Sequence, residues 1–186
     1  LVIPYVEFAK QLRGPRPLLL DTSALIDARI VDLVATGIIQ YPVVIPHFVI
    51  AELQTLADSD NKLKRARGRR GLDVVTRLQR MPTLDLSIDE TVIPGKAVDQ
   101  QLLELARRMP ATILTTDLAL GRIASIQNIR ILNLNDVSNA LKPSVIPGEP
   151  LSIKLIKPGE QSGQAVGYLD DGTMVVAEDG GHAIGQ

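Results

Sequence analysis

Between residues 17 and about 141, short apolar runs alternate with longer stretches of helical periodicity. That alternation limits the fold more than any other feature of the chain. Residues 18–20, 43–45, 113–116 and 130–132 read as strands, and residues 83–86 as a further one. Helical patterns occupy residues 24–36, stopped near Gly37, then 62–80, 99–109, 118–126 and 135–141. Another helix opens at Pro46, whose missing N–H is not needed in a first turn, and ends at the loop Asp58-Ser59-Asp60-Asn61. Most of these strands are near-continuous apolar runs. Such strands are buried on both faces, so the expected fold is α/β, a parallel sheet flanked by helices on either side.

The pattern changes at residues 142–150, Lys-Pro-Ser-Val-Ile-Pro-Gly-Glu-Pro, which reads as a linker. Beyond it, residues 151–157, 164–169 and 173–177 read as strands separated by the turn signals Pro158-Gly159 and Asp170-Asp171-Gly172. The expectation for residues 151–186 is a small, incomplete β-barrel, since closure needs one or two further strands. The expected organisation is a lead-in over residues 1–16, an α/β domain over 17–141, a linker over 142–150 and a β module over 151–186. The lead-in is partly apolar but carries Pro4, Glu7 and Lys10, and lacks the basic start and small-residue cleavage site of a signal peptide. The chain begins at leucine, so a fragment of a longer protein is expected.

Among 186 residues, hydrophobic types make up 45% and charged types 22%, the balance of a globular soluble protein. The absence of cysteine excludes disulfides, cysteine nucleophiles and thiolate metal sites, and His47 and His182 alone argue against a histidine zinc site. A net charge of −1 announces no nucleic-acid partner, but Lys62, Lys64, Arg65, Arg67, Arg69, Arg70, Arg77 and Arg80 crowd one helical segment. Such a run attracts phosphate in a salt-dependent way. The competing reading is a solvated helix face whose arginine stems cover apolar surface. Gly68 and Gly71 interrupt the segment, each costing a helix up to about 1 kcal/mol against alanine. They suit close approach of a nucleic-acid strand or of a partner helix. With three Tyr, two Phe and no Trp, an aromatic base-stacking platform is not expected; Tyr168 is the single aromatic of the β module.

Four carboxylates stand out by position. Asp21 and Asp117 each end an apolar strand run. Glu52 shares a helix face with Phe48, Val49 and Leu56, and Asp99 shares one with Leu102 and Leu103. Singly, Asp21 and Asp117 read as helix caps and Asp99 as a favourable charge at a helix start. Together, acids on apolar faces and at the C-terminal edge of a parallel sheet point to one crevice, because such acids need partners and such edges bind ligands. Grouped carboxylates repel unless protons or a divalent cation intervene, and oxygen-only donors suit Mg2+ or Mn2+.

The segments Leu20-Asp21-Thr22-Ser23-Ala24-Leu25-Ile26-Asp27, Ile50-Ala51-Glu52-Leu53, Val98-Asp99-Gln100-Gln101-Leu102-Leu103 and Leu114-Thr115-Thr116-Asp117-Leu118-Ala119-Leu120 resemble the motifs of the PIN-domain nuclease family. The segment from Gly163 to Val176 is similar to a TRAM domain, and the pair in this order resembles the bacterial PIN–TRAM proteins. The resemblance implies a PIN-like sheet followed by a TRAM-like module. It implies a metal-dependent endoribonuclease whose Mg2+ or Mn2+ centre is Asp21, Glu52, Asp99 and Asp117. Ser23, with Thr115 or Thr116, would orient a carboxylate or a phosphate. Asp27 is also typical of this subgroup, with a solvated helix residue as its competing reading. The implied partner is single-stranded RNA, contacted by Lys62, Lys64, Arg65, Arg67, Arg69 and Arg70 and cleaved to a 5′-phosphate and a 3′-hydroxyl. Self-association into a homo-oligomer stays open. The expected location is the cytoplasm, or the cytoplasmic membrane face through a membrane-spanning segment ahead of residue 1.

Three other readings compete. One is a non-catalytic RNA-binding or ribosome-associated module with a vestigial acidic pocket. A receiver-like phosphoryl-transfer domain would want a second acid beside Asp21, where Thr22 and Ser23 stand instead. A toxin-type PIN nuclease is disfavoured by the attached β module.

Overall fold

The structure is a computed structural model that describes residues 16–142, 148, 150–169 and 172–185. The lead-in reading of residues 1–15, most of the linker and the Asp170-Asp171 part of a turn lie outside the described residues. The chain forms two compact units, one ending at Val137 and the other beginning at Ser138.

In the first unit, strands β1 (Leu18–Leu20), β2 (Val43–Pro46), β3 (Leu86–Asp89), β4 (Thr112–Thr115) and β5 (Arg130–Asn133) form a parallel sheet in the order β3-β2-β1-β4-β5. Its helices are α1 (Thr22–Asp27), α2 (Arg29–Ala35), α3 (His47–Ala57), α4 (Lys62–Gln79), α5 (Val98–Arg108) and α6 (Leu118–Ile126), followed by α7 (Leu134–Ala140) at the unit boundary. Leu18, Leu19 and Leu20 are all buried, as a strand covered on both faces requires. Ala24 and Leu25 of α1, Val49 and Leu53 of α3, Val74 and Leu78 of α4, and Leu102 and Leu105 of α5 share one core with them. The chain proceeds outward from β1 through β2 to β3, then returns to the other side of β1. The order therefore switches between β1 and β4, which is where open parallel sheets offer a crevice beyond their C-terminal strand ends.

Two local expectations are corrected. The single helix over residues 24–36 is two helices, broken at Ala28, which takes the left-handed conformation at φ 75°. The break is held by side chains. Arg29 grips the Asp27 carboxylate through Nε at 2.6 Å and Nη2 at 2.8 Å, and Arg70 Nη2 donates to the Asp27 carbonyl at 3.0 Å. The strand expected at residues 83–86 lies at Leu86–Asp89 instead. A turn closed by Leu84 N–H donating to the Met81 carbonyl uses the earlier residues, and pairing with Val43–Pro46 sets the register.

The two glycines of α4 serve a partner helix. A Cβ on Gly68 would lie 2.3 Å from the Ala57 nitrogen and 2.6 Å from the Leu53 carbonyl oxygen, and one on Gly71 would lie 2.4 Å from Leu53 Cδ2. The backbone of α4 thus lies against α3 at these points, and their cost in helix propensity is offset by packing.

The second unit holds the antiparallel strands β6 (Leu155–Pro158), β7 (Ala165–Tyr168) and β8 (Met174–Ala177), in that order, and a 3-10 turn at Gly180–Ala183. Among the described residues this sheet does not close into a barrel. Gly180 abuts Leu155, Ala165 and Ala177 on one face, while Tyr168, Met174 and Val176 are exposed. Among the described residues, no helix is long and apolar enough to cross a membrane.

Candidate functional site

Register places the first two acids. Leu20 of β1 pairs with Leu114 of β4, so Asp21 and Thr115 follow side by side at the switch point, and the Asp21 amide donates to the Leu114 carbonyl at 3.0 Å. Asp21 precedes α1 in the N-cap position, yet its carboxylate makes no cap bond. Its Oδ2 instead accepts from Thr115 Oγ1 at 2.7 Å and from Ser23 Oγ at 2.5 Å. Asp21 is 4% exposed, and two hydroxyl donors offset the cost of burying that charge. Each hydroxyl also accepts an amide proton at 2.9 Å, Ser23 from Thr116 and Thr115 from Asp117. Of the two threonines at the end of β4, Thr115 supplies the side chain and Thr116 its backbone amide.

Asp117 is the N-cap of α6, so here the capping reading holds for one oxygen: Oδ1 accepts from the Ala119 and Leu120 amides at 2.6 and 3.2 Å. Among the described residues no hydrogen bond falls on its Oδ2. Asp99 sits in the first turn of α5. Although it lies at the surface, part of its shell is protein rather than water. That partial desolvation, then the negative charges of Asp21 and Asp117, raise its carboxyl above the ordinary aspartate value. The structure therefore puts Asp21, Asp99 and Asp117 in one electrostatic field. Glu52, half-buried on α3, is bonded to Thr22 in the first turn of α1, whose Oγ1 donates to Glu52 Oε2. Sequence reasoning missed Thr22; its position between Asp21 and Ser23 was the available signal. Asp27 is occupied elsewhere. The hydrogen bond from Arg29 holds its carboxyl below the ordinary value, and Arg29 extends to Asn135 Oδ1 at 2.6 Å.

Among the described residues, no three histidine, aspartate or glutamate side chains stand close enough together to hold one ion jointly. The donor set is nevertheless all oxygen, and a field that favours a proton on Asp99 favours a cation as well. Mg2+ commonly takes one or two carboxylates and completes its shell with water and phosphate oxygens. The acids present fit an ion of that kind.

The basic segment divides into two roles. Arg65 Nη1 donates to the Ser59 and Asp60 carbonyls at 3.0 and 3.3 Å, tying the preceding loop to α4, and Arg70 donates to the Asp27 carbonyl, tying the end of α1 to it. Lys62, Lys64, Arg67 and Arg69 are exposed and make no such bond among the described residues. The ion pairs recorded there, Asp27–Arg29, Lys96–Glu104 and Glu104–Arg108, involve no residue of α4. Helix α4 packs against α1 and α3, the helices that carry Ser23 and Glu52.

No protein-family model matches the chain. It is similar to an uncharacterised PIN and TRAM-domain containing protein of Bacillus subtilis, 44% identical over 169 residues that cover 90% of this chain and 46% of that protein. A second relative described in the same words, from Synechocystis, is 45% identical over 176 residues, covering 91% of this chain and 47% of that protein. The chain thus spans about half the length of the curated relatives it matches. Among solved structures it is similar to a domain of a functionally unknown protein from Methanocaldococcus jannaschii, with a TM-score of 0.53 and 17% identity over 74% of this chain and 99% of that one. At that identity the likeness is one of fold.

Proposed function

This chain belongs to the PIN and TRAM-domain containing proteins, with the nuclease-like fold that name carries, and from that premise we propose that it is a metal-dependent endoribonuclease acting on single-stranded RNA. The observation that carries the reading is the convergence at the switch point. Asp21 at the end of β1 and Asp117 beyond the end of β4 share one field with Asp99.

In this reading Mg2+ or Mn2+ takes its carboxylates from among Asp21, Asp99 and Asp117, with water completing its shell, and Glu52 ligates it or positions water. Bound there, such an ion lowers the pKa of a coordinated water and offsets charge on the leaving oxygen. The chain's own residues prepare the site. Ser23 and Thr115 fix the orientation of Asp21, and the α6 amides fix that of Asp117. Lys62, Lys64, Arg67 and Arg69 draw the phosphate backbone to the α4 face beside these elements. The β module adds RNA contact, and the activity is placed in the cytoplasm or at the cytoplasmic membrane face. The products are a 5′-phosphate and a 3′-hydroxyl.

A second reading, a non-catalytic RNA-binding module, is favoured by one observation: no three of the acids reach ligating distance of a common point among the described residues. Incubation of end-labelled single-stranded RNA with wild type and Asp21→Asn, with Mn2+ and with EDTA, separates the two. The nuclease reading expects cleavage by wild type with Mn2+ alone. Equal behaviour of the two proteins, with RNA binding retained, gives the second reading its case.

A further inference from the structure

Asp21, Thr22 and Ser23 are consecutive, yet the two hydroxyls serve different carboxylates. Ser23 donates to Asp21, whereas Thr22 donates to Glu52, thirty positions along the chain. Thr22 is 8% exposed, so its hydroxyl is largely removed from water and its bond to Glu52 is the partner that makes burial tolerable. The two ends of this contact differ in stiffness. Thr22 is β-branched, with few χ1 rotamers, and stands on the first turn of α1. Glu52 is a long side chain with considerable rotamer freedom. Its backbone is already fixed, because α3 meets α4 at Gly68. Only the side chain of Glu52 remains to be placed, and the Thr22 hydroxyl ties it to the first turn of α1.

We infer that Thr22 is a positioning residue that presets the Glu52 carboxylate at the first turn of α1 for phosphodiester hydrolysis; the inference rests on the nuclease reading above. Thr22 touches no substrate in this role and acts through Glu52 alone. The block Asp21-Thr22-Ser23 then supplies one acid and orients two.

The test compares wild type, Thr22→Val, Thr22→Ser, Glu52→Ala and the double variant Thr22→Val/Glu52→Ala. Single-turnover cleavage of labelled single-stranded RNA is followed with Mn2+, and folding is checked by circular dichroism. Removing a group that orients an acid of a metal site costs about 10–100-fold in activity or metal affinity. Thr22→Val is expected to lower the cleavage rate by that order with KM little changed, and Thr22→Ser to restore most of it. In the Glu52→Ala background, Thr22→Val is expected to change nothing further, as two residues acting as a unit do not add. Should Thr22→Val fold poorly, Thr22→Ala takes its place in the same cycle. Wild-type cleavage together with an unaffected Thr22→Val, with a Thr22→Ser that fails equally, or with an effect that persists in Glu52→Ala, overturns this inference alone. A wild type that neither cleaves RNA nor responds to Mn2+ overturns it together with the nuclease reading.

Discussion

Thr115, wholly buried at the end of β4, donates through Oγ1 to Asp21 Oδ2 at 2.7 Å while the same oxygen accepts the Asp117 amide proton at 2.9 Å. One hydroxyl thus joins the acid of one strand to the backbone carrying the acid of the next. Its proton goes to the carboxylate and a lone pair to the amide, leaving no freedom in its rotor.

Thr115→Val is expected to destabilise the fold by about 1–3 kcal/mol, because it strips a donor from a buried carboxylate and leaves the Asp117 amide unpaired. At about 2–4 °C per kcal/mol for a chain of this size, the melting temperature resolves that loss. Thr115→Ser, which keeps the hydroxyl, should recover most of it. Equal melting temperatures for wild type and Thr115→Val would mean that water replaces the hydroxyl at no cost.

Asp99 gives the metal-free protein a pH dependence whose sign follows from its environment. Desolvation and the charges of Asp21 and Asp117 raise its folded-state value above the unfolded one. Between those two values the folded state holds more protons than the unfolded state, so stability falls as pH rises through that interval. Below the unfolded value the penalty is absent, and above the folded value it is complete. Asp99→Asn should flatten this part of a melting curve recorded in EDTA against pH. A slope unchanged in the variant would assign the dependence to other groups.

The sheet, and the places of Asp21 and Asp117 just beyond its strand ends, were legible in the sequence because their signals are local. Three consecutive leucines before Asp21, in a chain that alternates such runs with helical patterns, read as a doubly covered strand, and Asp117 follows the run Ile113-Leu114-Thr115-Thr116. The features that were not legible depend on distant partners. Ala28 breaks a helical pattern without any glycine or proline, and one of the bonds that hold the break, from Arg70 to the Asp27 carbonyl, comes from another helix. The third strand could not be placed from propensity alone, since its register is set by β2. Asp21 looked like a helix cap and is not, whereas Asp117 looked like one and is; only the hydroxyls across the β1–β4 pair separate the two cases.

Gly68→Ala is expected to destabilise the first unit by about 1–3 kcal/mol or more, the cost of overpacking a tight contact. The added methyl would sit 2.3 Å from backbone nitrogen of Ala57, and a helix backbone has little room to yield. The ordinary gain of alanine over glycine in a helix, about 1 kcal/mol, acts in the opposite direction and is outweighed. A variant that melts at or above the wild-type temperature would show that α3 and α4 separate readily.

The cations of α4 should respond differently to charge reversal. Lys64→Glu, Arg67→Glu and Arg69→Glu alter exposed cations that make no side-chain hydrogen bond or ion pair among the described residues, so RNA affinity should fall and its salt dependence should flatten while the melting temperature stays close to wild type. Arg65→Glu and Arg70→Glu should lower the melting temperature as well, because both side chains hold backbone carbonyls. Binding isotherms at several salt concentrations, paired with melting curves, distinguish the two groups. An unaltered salt slope in the triple variant would leave the exposed face without a role in RNA contact.

Asp117 combines two functions that two substitutions can pull apart. Its Oδ1 caps α6, which asparagine does about equally well, whereas its charge belongs to the field shared with Asp21 and Asp99. Asp117→Asn should therefore keep the metal-free fold near wild-type stability, while Asp117→Ala loses about 1 kcal/mol with the cap. A cation that binds only the folded state stabilises it by about 2.7 kcal/mol at a hundredfold excess over its dissociation constant. Both variants should lose that response to Mn2+ and cleave RNA at a small fraction of the wild-type rate. Melting curves with EDTA and with Mn2+ give the comparison directly. If Asp117→Asn is stabilised by Mn2+ as strongly as wild type, the Asp117 charge takes no part in holding the ion, and the remaining acids have to account for any metal dependence.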